Sequence, residues 1–589
     1  MGLLLLFPAL AWAGQQLPQG ILVDPAEQAR IVEHERLGDR WLASRNFDQA
    51  IAEYQRAIVL NPAFPSLHEK LGIALTGSGD LKRAVREFSE AVRLAPGNSG
   101  ARANLGLALL RTGDVKGALQ ALRAAVQMDP SSPVAHYRVG LALSGNGNVP
   151  AASLEFRKAL ELRPDYPEAR NDLGVSLVAL GKTDEALGEF RQALKLRPEY
   201  PEAHFNLGLA LLNRKEYVPA LVELREALRL KPDYTEAGNQ LGTALVDAGR
   251  IPEAVTELRG MIASSPGNAI AHYTLGRAYL KNKQFQEARQ EYERAVALRP
   301  DFAEAYNNLG VMDAEQGNVD KAFVDFQQAL KLDGRNADAH YNLGVVCLLR
   351  ADTAAALPEL QKAVELEPDS ARFHARLGVA LDRSGDLDGA IREQQAAVRY
   401  DPNDTTARYN LARLLLRKGD SQGAAEQFTS LAQIQKSAET REMTSTQVAA
   451  ALGRGLQAIA GGKTEDAAQA FAEAVRIDPQ SAEAHNHLGL ALAKLGNTDA
   501  AKAQFEKAIA LQPLNAAAYN NAGGVLASEG NLDAAIDQME KALAVDADMA
   551  QAHRNLGLLL LKKGDRERAA SEFRKATELG LAPGGDKKP

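Results

Sequence analysis

The sequence predicts an all-α protein, an α-solenoid of stacked helix pairs, and three observations support this. Gly recurs every 34 residues at eleven successive positions from Gly38 to Gly378, and Leu precedes ten of these eleven. A fixed period of this length is typical of repeat architectures. The 589 residues are 46% hydrophobic but only 5% aromatic, so small and aliphatic residues supply most of the apolar content. Apolar residues also recur at spacings of three and four, the period of an amphipathic helix.

Sixteen units follow from this period when each unit begins seven residues before its glycine. The eighth place is Gly in 15 units, with Ala412 the exception, and the twentieth place is Ala in all 16. The twenty-seventh place is Ala in 14 units and differs only at Met261 and Leu431. Such small side chains predict points where two helices approach closely. The units start at residues 31, 65, 99, 133, 167, 201, 235, 269, 303, 337, 371, 405, 448, 482, 516 and 550.

Helix stop and start signals fall at fixed places within the units. Gly occupies the fifteenth place in 12 units, as at Gly79, where a left-handed residue can end a first helix. Asp or Asn often follows, as at Asp80, and is suited to cap the second helix. Pro occupies the thirty-second place in 12 units, as at Pro198, and ends that second helix. Each unit therefore reads as helix, turn, helix and stop.

Residues 31–583 resemble the tetratricopeptide-repeat family, whose pattern of Leu-Gly, Ala, an aromatic residue, Ala and Pro within 34 residues recurs here. The resemblance implies a right-handed superhelix whose first helices line a concave groove that binds other proteins. We assign repeats 1–12 to residues 31–438 and repeats 13–16 to residues 448–583, followed by a tail at 584–589. The insertion at 439–447 is predicted to interrupt the superhelix. It is also predicted to be helical, because the stretch KSAETREMTSTQ at 436–447 contains neither Pro nor Gly.

The first 13 residues form an apolar run that ends in Ala-Trp-Ala, a pattern that signal peptidases cleave. We therefore expect a signal peptide at 1–13, a lead-in at 14–30 and export to the periplasm or the outside. The run is shorter than the roughly 20 residues that span a membrane, so no transmembrane segment is expected in the mature chain. The alternative is a cytoplasmic protein, because the first basic residue is Arg30 and no positive segment precedes the apolar run.

The composition and the motifs argue against a nucleic-acid-binding protein and against an enzyme. Lys and Arg number 68 against 75 Asp and Glu, with both signs mixed along the chain, which is no nucleic-acid footprint. No phosphate loop, dinucleotide fingerprint or nucleophile elbow is present. Nine of the ten histidines fall at the fourth place of a unit and Cys347 at the eleventh, so we assign them to packing. No metal or cofactor is expected.

The sixth place of the unit holds the candidate binding residues, because in the family this place faces the groove. An amide both donates and accepts, so a row of them can bond the backbone of an extended peptide whatever its sequence. The row is similar to the asparagine ladder in the repeat domain of protein O-linked N-acetylglucosamine transferases. The alternative is that Asn is a tolerated polar residue on a solvated face. The candidates are Asn104, Asn206, Asn308, Asn342, Asn410, Asn521 and Asn555.

A second candidate site lies in repeats 10 and 11. Asn342, Arg372 and Arg376 resemble three positions of the family's two-carboxylate clamp, which grips the C-terminal carboxylate of a partner. Two further clamp places in repeat 9 hold Asn307 and Val311 instead. Arg372 and Arg376 are four residues apart and share one helix face.

The sequence as a whole predicts a non-enzymatic scaffold that binds extended segments of other proteins. Two alternatives remain open at this point. The chain could be a structural component of a bacterial-type envelope secretion or export assembly, or a non-catalytic partner of a glycosyltransferase.

Overall fold

The computed structural model describes residues 25–581, which contain 31 α-helices. The predicted signal peptide at 1–13 and the tail at 584–589 lie outside these residues. The all-α solenoid that the sequence predicts is confirmed. None of the helices in the described range is long and apolar enough to cross a membrane. By internal contacts the chain divides into two compact units, Met1–Asn206 and Leu207–Pro589.

The first unit is built from helix pairs, and each odd-numbered helix is the first helix of its repeat. The division between the units falls inside α11 (Pro201–Asn213). The preceding helices are α1 Pro25–Ala43, α2 Phe47–Leu60, α3 Pro65–Ser78, α4 Leu81–Leu94, α5 Ser99–Arg111, α6 Val115–Met128, α7 Pro133–Gly145, α8 Val149–Leu162, α9 Pro167–Ala179 and α10 Thr183–Leu196.

The second unit continues the same alternation, except that one 40-residue helix, α24, serves two repeats. Its helices are α12 Tyr217–Leu230, α13 Thr235–Asp247, α14 Ile251–Ser264, α15 Ala269–Lys281, α16 Phe285–Leu298, α17 Ala303–Glu315, α18 Val319–Leu332, α19 Ala337–Leu349, α20 Thr353–Leu366, α21 Ala371–Ser384, α22 Leu387–Tyr400, α23 Thr405–Lys418, α24 Ser421–Ala460, α25 Thr464–Ile477, α26 Ala482–Lys494, α27 Thr498–Leu511, α28 Ala516–Ser528, α29 Leu532–Val545, α30 Ala550–Lys563 and α31 Arg566–Glu578.

The glycine at the eighth place lets a bulky side chain pack directly on the backbone of the first helix. In repeat 2 a Cβ added to Gly72 would lie 2.7 Å from the Phe88 ring, which is too close for any real contact. Phe88 itself is only 2% exposed. Repeat 12 shows the converse, because Ala412 replaces this glycine and the corresponding ring, Phe428, is 39% exposed. The eighth place therefore determines how closely the two helices of a repeat pack.

Helix α24 runs without a turn through the boundary between repeats 12 and 13. It comprises the second helix of repeat 12, residues 439–447 and the first helix of repeat 13. Its ends pack against neighbours through Ala424 and Val448, whereas residues 436–447 are exposed except for the half-buried Thr444. The middle of α24 is thus held by its own backbone hydrogen bonds rather than by tertiary packing.

Successive first helices touch one another as well as their own partners. In the first unit α3 contacts α5 and α5 contacts α7, and in the second unit α17 contacts α19 and α19 contacts α21. Helices two apart can make such contacts only on the shorter side of a curved stack. The first helices therefore line the concave face of each unit, as the family resemblance implies.

The second unit also contains a contact between repeats that are far apart in sequence. Val218 at the start of α12 is buried in one cluster with Ala544 and Val545 at the end of α29. The buried guanidinium of Arg250 donates to the carbonyl oxygen of Ala544, and Arg225 Nη1 donates to the same oxygen at 3.4 Å. Two cations thus meet the negative end of the α29 dipole, which is the favourable arrangement.

Candidate protein-binding surface

The sixth-place asparagines lie on the first helices, half-buried, and six of the seven make the same bond. Each of the six donates from Nδ2 to the fifth-place side chain of the preceding repeat, 35 residues earlier. The acceptors are Glu69, Asn171, Tyr273, Asn307, Asn486 and Asn520, at 3.0, 2.9, 3.4, 3.0, 3.0 and 2.9 Å from Asn104, Asn206, Asn308, Asn342, Asn521 and Asn555, respectively.

Asn410 is the exception, and the sequence explains why. The fifth place of the preceding repeat is Ala375, which offers no acceptor. Sequence reasoning missed this partnership because it weighed the sixth place alone. Polar residues recurring at the fifth place, 35 residues before six of the seven Asn, were the available signal. The inter-repeat bond uses one of the two amide N–H donors, so each bonded Asn keeps hydrogen-bonding capacity toward the concave face.

The arginines of the predicted carboxylate clamp are exposed, but one of them already has an anion. Arg372 pairs with Asp338 of the preceding repeat, and its guanidinium lies 4.7 Å from the centre of the Phe373 ring. Arg376 is exposed one turn later on the same helix, α21. A partner's carboxylate at this place would therefore compete with Asp338 for Arg372, while Arg376 is the more accessible cation.

A half-buried carboxylate, Asp172, lies at the sixth place of repeat 5. Asp172 Oδ2 accepts from the hydroxyl of Tyr137 at 2.7 Å, and Oδ1 accepts from Asn171 at 3.0 Å. Burial raises the pKa of Asp172 to about 6, although these two hydrogen bonds favour the charged form and oppose the shift. Asp172 therefore adds little negative charge to the concave face at mildly acidic pH.

The fourth-place histidines prove to be polar links between helices rather than apolar packing. His68 Nδ1 lies 2.7 Å from Glu87 on the second helix, and Nε2 lies 2.9 Å from the carbonyl oxygen of Pro62. A carboxylate and a carbonyl oxygen are both acceptors, so this arrangement favours a ring that donates from both nitrogens and is positively charged. The hydrogen bond to Glu87 raises the pKa of His68, against the opposing effect of burial.

Arginine occupies the same place in repeats 3, 5 and 12, and Arg170 of repeat 5 makes the same two bonds. Arg170 donates to Glu189 at 2.8 Å and to the carbonyl oxygen of Pro164 at 3.0 Å. This substitution of an obligate cation supports the charged form of His68. The co-occurrence of His or Arg at place 4 with Glu or Gln at place 23 was visible in the sequence. Histidine pairs of the same kind join His34, His136, His272, His340, His374 and His553 to Glu53, Glu155, Glu291, Glu359, Glu393 and Glu572.

Across the part of the chain that is described, no group of three or more His, Cys, Asp or Glu side chains could hold a metal ion. Cys347 is buried, and burial raises the pKa of its thiol, which is the opposite of what a nucleophilic cysteine requires. His487, the histidine at a sixth place, stacks on Phe471 at 5.2 Å between ring centres.

The repeat geometry is matched by models of a known family. A tetratricopeptide-repeat model matches most of the chain, and a second model of the same repeat matches three further stretches. The chain belongs to the tetratricopeptide-repeat family. The first model matches residues 69–133, 103–167, 137–187, 171–235, 239–301, 273–326, 350–397, 376–439, 486–544 and 530–586, and the second matches residues 38–79, 312–348 and 455–496.

Several solved structures are similar to this tetratricopeptide-repeat chain. The Cut9–Hcn1 hetero-tetramer of the APC/C is 15% identical and covers 84% of this chain and 96% of its own, with a TM-score of 0.36. MamA from Desulfovibrio magneticus RS-1 is 28% identical over 29% of this chain and 96% of its own, with a TM-score of 0.27. YrrB, described as having an unusual peptide-binding site, is 23% identical over 31% and 95%, with a TM-score of 0.27. No curated protein matches the sequence.

Proposed function

We propose that the chain is a scaffold that holds extended segments of other proteins on the concave faces formed by its first helices. The observation that carries this proposal is the row of half-exposed sixth-place amides, each with hydrogen-bonding capacity left over. The inter-repeat bonds hold these amides in fixed orientations. Binding of a partner segment then costs little further side-chain entropy, because the donors and acceptors are already ordered in the folded array.

The number of repeats is consistent with this role. One hydrogen bond contributes a net of about 0.5 to 1.5 kcal/mol. A micromolar complex requires about 8 kcal/mol after the ordering costs are met. A single asparagine therefore binds nothing useful, whereas a segment that crosses several repeats can reach this affinity.

Photo-crosslinking in the native host tests whether the concave face is the binding surface. A photoreactive residue is placed at Val175 on α9, which is 44% exposed on the first-helix side. The matched control is Leu154 on the second helix α8, which is 66% exposed. We expect a discrete crosslinked partner at position 175 and none at 154. Equal labelling at both positions, or labelling at 154 alone, would contradict the proposal.

Two alanine variants separate binding from stability. Asn410 makes no inter-repeat side-chain bond, so Asn410→Ala should weaken capture of the crosslinked partner without changing thermal unfolding. Asn342 bonds to Asn307 at 3.0 Å, so Asn342→Ala should lower both the capture of the partner and the temperature of thermal unfolding. Unchanged capture in both variants would argue that the amide row is only a solvated face.

Export remains part of the proposal and depends on residues 1–13. Fractionation of the host should place the full chain outside the cytoplasm and deletion of these residues should retain it inside. A cytoplasmic full-length chain would remove the basis for a role in an envelope assembly and leave the scaffold function in place.

A further inference from the structure

Two arginines on the concave face of the first unit have no carboxylate partner. Arg111 is the last residue of α5, and Arg138 lies at the sixth place on α7. Arg111 makes no hydrogen bond or ion pair with any described residue. Arg138 makes one hydrogen bond, from Nη1 to Asn104 Oδ1 at 2.9 Å, and no ion pair within the described range. Most of their N–H donors are therefore available to a ligand.

Several other arginines on first helices are paired with anions of the preceding repeat. In the second unit Arg277 lies 2.7 Å from Asp247, and Arg413 lies 2.8 Å from Asp382. Inter-repeat ion pairs are thus one recurring role of arginine on this face. The two arginines of repeats 3 and 4 do not serve that role.

Both guanidiniums are partly withdrawn from water. Burial lowers the pKa of Arg111. Burial also lowers the pKa of Arg138, where Tyr166 and Glu69 oppose the shift and the nearby charge of Arg111 adds to it. Arginine nevertheless stays charged in proteins. Two neighbouring cations that are half-buried without an anion are unfavourable, and an entering anion would relieve this.

The nearest carboxylate, Glu69, is already occupied by amides. Its Oε1 accepts from Asn104 Nδ2 at 3.0 Å, and its Oε2 accepts from Asn98 Nδ2 at 3.1 Å. Burial raises the pKa of Glu69, although the two amide bonds oppose this. The single carboxylate of Glu69 does not balance the two guanidiniums of Arg111 and Arg138. The net charge of these three groups is therefore positive.

An apolar surface borders the two arginines. Leu107 and Leu110 on α5 and Leu141 on α7 are half-buried and lie at the ninth and twelfth places of the concave face. Gly145 ends α7 beside Leu110, and a Cβ there would have only Leu110 Cδ1, at 3.9 Å, within 4 Å. The space above this leucine is therefore open to a ligand's side chain.

We propose that Arg111 and Arg138 together bind an aspartate or glutamate side chain of an acidic protein segment, whose adjacent apolar side chain packs on Leu110 and Leu141. This inference rests on the proposed scaffold function and assigns to it a class of partner and a place. Planar guanidiniums match the two oxygens of a carboxylate and can bond both at once.

Fluorescence anisotropy with the full chain tests the proposal. The probe is a labelled 12-residue peptide of four Ser-Glu-Leu units, and its counterpart contains Gln in place of Glu. We expect the wild-type chain to bind the Glu peptide about tenfold or more tightly than the Gln peptide at low salt, because charged hydrogen bonds are the stronger ones. The R111Q/R138Q double variant should bind both peptides equally weakly. An equal affinity of the wild type for the two peptides would overturn the proposal.

Two controls make the outcome specific. R123Q removes an exposed arginine of α6, on the other face of repeat 3, and should leave the preference intact. R111K/R138K keeps the charge and should retain part of the preference. Thermal unfolding of each variant shows whether it folds; should R138Q alone unfold the chain, R111Q is compared by itself. A preference that survives R111Q/R138Q, or that is lost in R123Q, would place the contact elsewhere.

A third arm distinguishes a protein ligand from a small anion. Sodium phosphate at a few millimolar and constant ionic strength should leave the Glu peptide bound. Displacement by phosphate would show a small-anion site and overturn the assignment to a protein segment. Crosslinks at position 175 combined with no Glu preference would refute this inference alone, whereas the absence of any concave-face crosslink would refute the proposed function.

Discussion

At the scale of single residues, the fifteenth place of the repeat shows how strictly a turn is specified. All 16 repeats have a left-handed residue there, and in 12 it is Gly. Arg45, Lys215, Lys283 and Ala351 adopt φ near +60° in the remaining four. A left-handed conformation is unfavourable for any residue with a Cβ. The tertiary structure therefore imposes this turn even where the local residue resists it.

Ala351→Gly should stabilise repeat 10. Relief of the left-handed strain outweighs the extra chain entropy that Gly loses on folding, so we expect a gain of about 0.5 to 1 kcal/mol. Amide hydrogen exchange in α19 and α20 measures it. The reverse change in repeat 11, Gly385→Ala, should cost a similar amount, since Gly385 has a φ of +92°. Faster exchange in Ala351→Gly would contradict the strain argument.

Gln394 is a second residue that departs from its repeat. It is fully buried at the place where most repeats have an aromatic or aliphatic residue, and its Oε1 has no hydrogen-bond partner. Gln394→Met should stabilise repeat 11 by about 1 kcal/mol, because an unsatisfied buried acceptor is unfavourable. Met539 already fills the same place in repeat 15. Slower amide exchange in α22 would support this, whereas Gln394→Glu should accelerate it.

At the scale of helices, the fourth-place histidines tie three segments together. His374 Nδ1 bonds Glu393 on α22 at 2.6 Å, and Nε2 bonds the carbonyl oxygen of Pro368 at 2.9 Å. The hydrogen bond to Glu393 raises the pKa of His374, with burial opposing it. A raised folded-state pKa contributes stability that is complete below the unfolded pKa, near 6.5, and is lost as pH rises through the folded value.

Glu393→Gln should reduce this pH dependence. A Gln amide can also donate through its NH2 group to an unprotonated Nδ1, so the neutral ring can keep both bonds. We expect the thermal midpoint of Glu393→Gln to lie below wild type at pH 6 and to approach it at pH 9. Glu365→Gln is the matched control, because this exposed residue of α20 pairs only with Lys362. A constant difference between pH 6 and 9 would contradict the charged-histidine interpretation.

Helix α24 is the element whose stability should be least uniform. Its ends are packed through Ala424 and Val448, but residues 436–447 are exposed apart from the half-buried Thr444. Four side chains in or near this stretch also bond the carbonyl four residues back, as Thr440 does to Lys436 at 2.8 Å. We expect the amides of 436–447 to exchange faster than those at either end of α24. Uniform protection along the helix would show that an unrecognised contact covers its middle.

At the scale of the whole molecule, each unit is a chain of neighbour contacts, and the second unit adds one that is not local. Val218 in repeat 6 packs on Ala544 and Val545 in repeat 15. Arg250 is 9% exposed, and its guanidinium is satisfied by Ala544 and Glu253. Repeat arrays otherwise behave as nearly one-dimensional systems, so this single contact couples repeats that would be independent.

Val218→Glu should separate these two repeats, because a larger, charged side chain replaces an apolar one in the buried cluster. Spin labels at positions 222 and 548, in a Cys347→Ser background, report the distance between α12 and the end of α29. We expect a narrow distribution in the parent and a longer, broader one in Val218→Glu. The exposed substitution Val324→Glu on α18 is the control and should leave the distribution unchanged. Identical distributions in all three would mean that the contact contributes nothing to the geometry.

The sequence predicted the all-α solenoid of helix pairs, because these follow from the side chains within one or two units. It did not predict that Asn104 and its counterparts each donate one of their two amide N–H groups to an inter-repeat bond. The acceptors lie 35 residues earlier, and the sixth-place pattern does not include them. Nor did it single out Arg111 and Arg138. An arginine without an anion is recognisable only when every neighbouring carboxylate has been located.

By itself, the sequence determined the architecture of this protein: a 34-residue period specifies contacts between adjacent units, and adjacent units build the solenoid. Only the tertiary structure decided which polar groups remain free on the concave face, and that Val218 in repeat 6 meets Ala544 in repeat 15. The physical reason is that the free polar groups and the contact between repeats 6 and 15 depend on the accumulated rotation between successive repeats. This accumulated rotation cannot be predicted from any local pattern of residues.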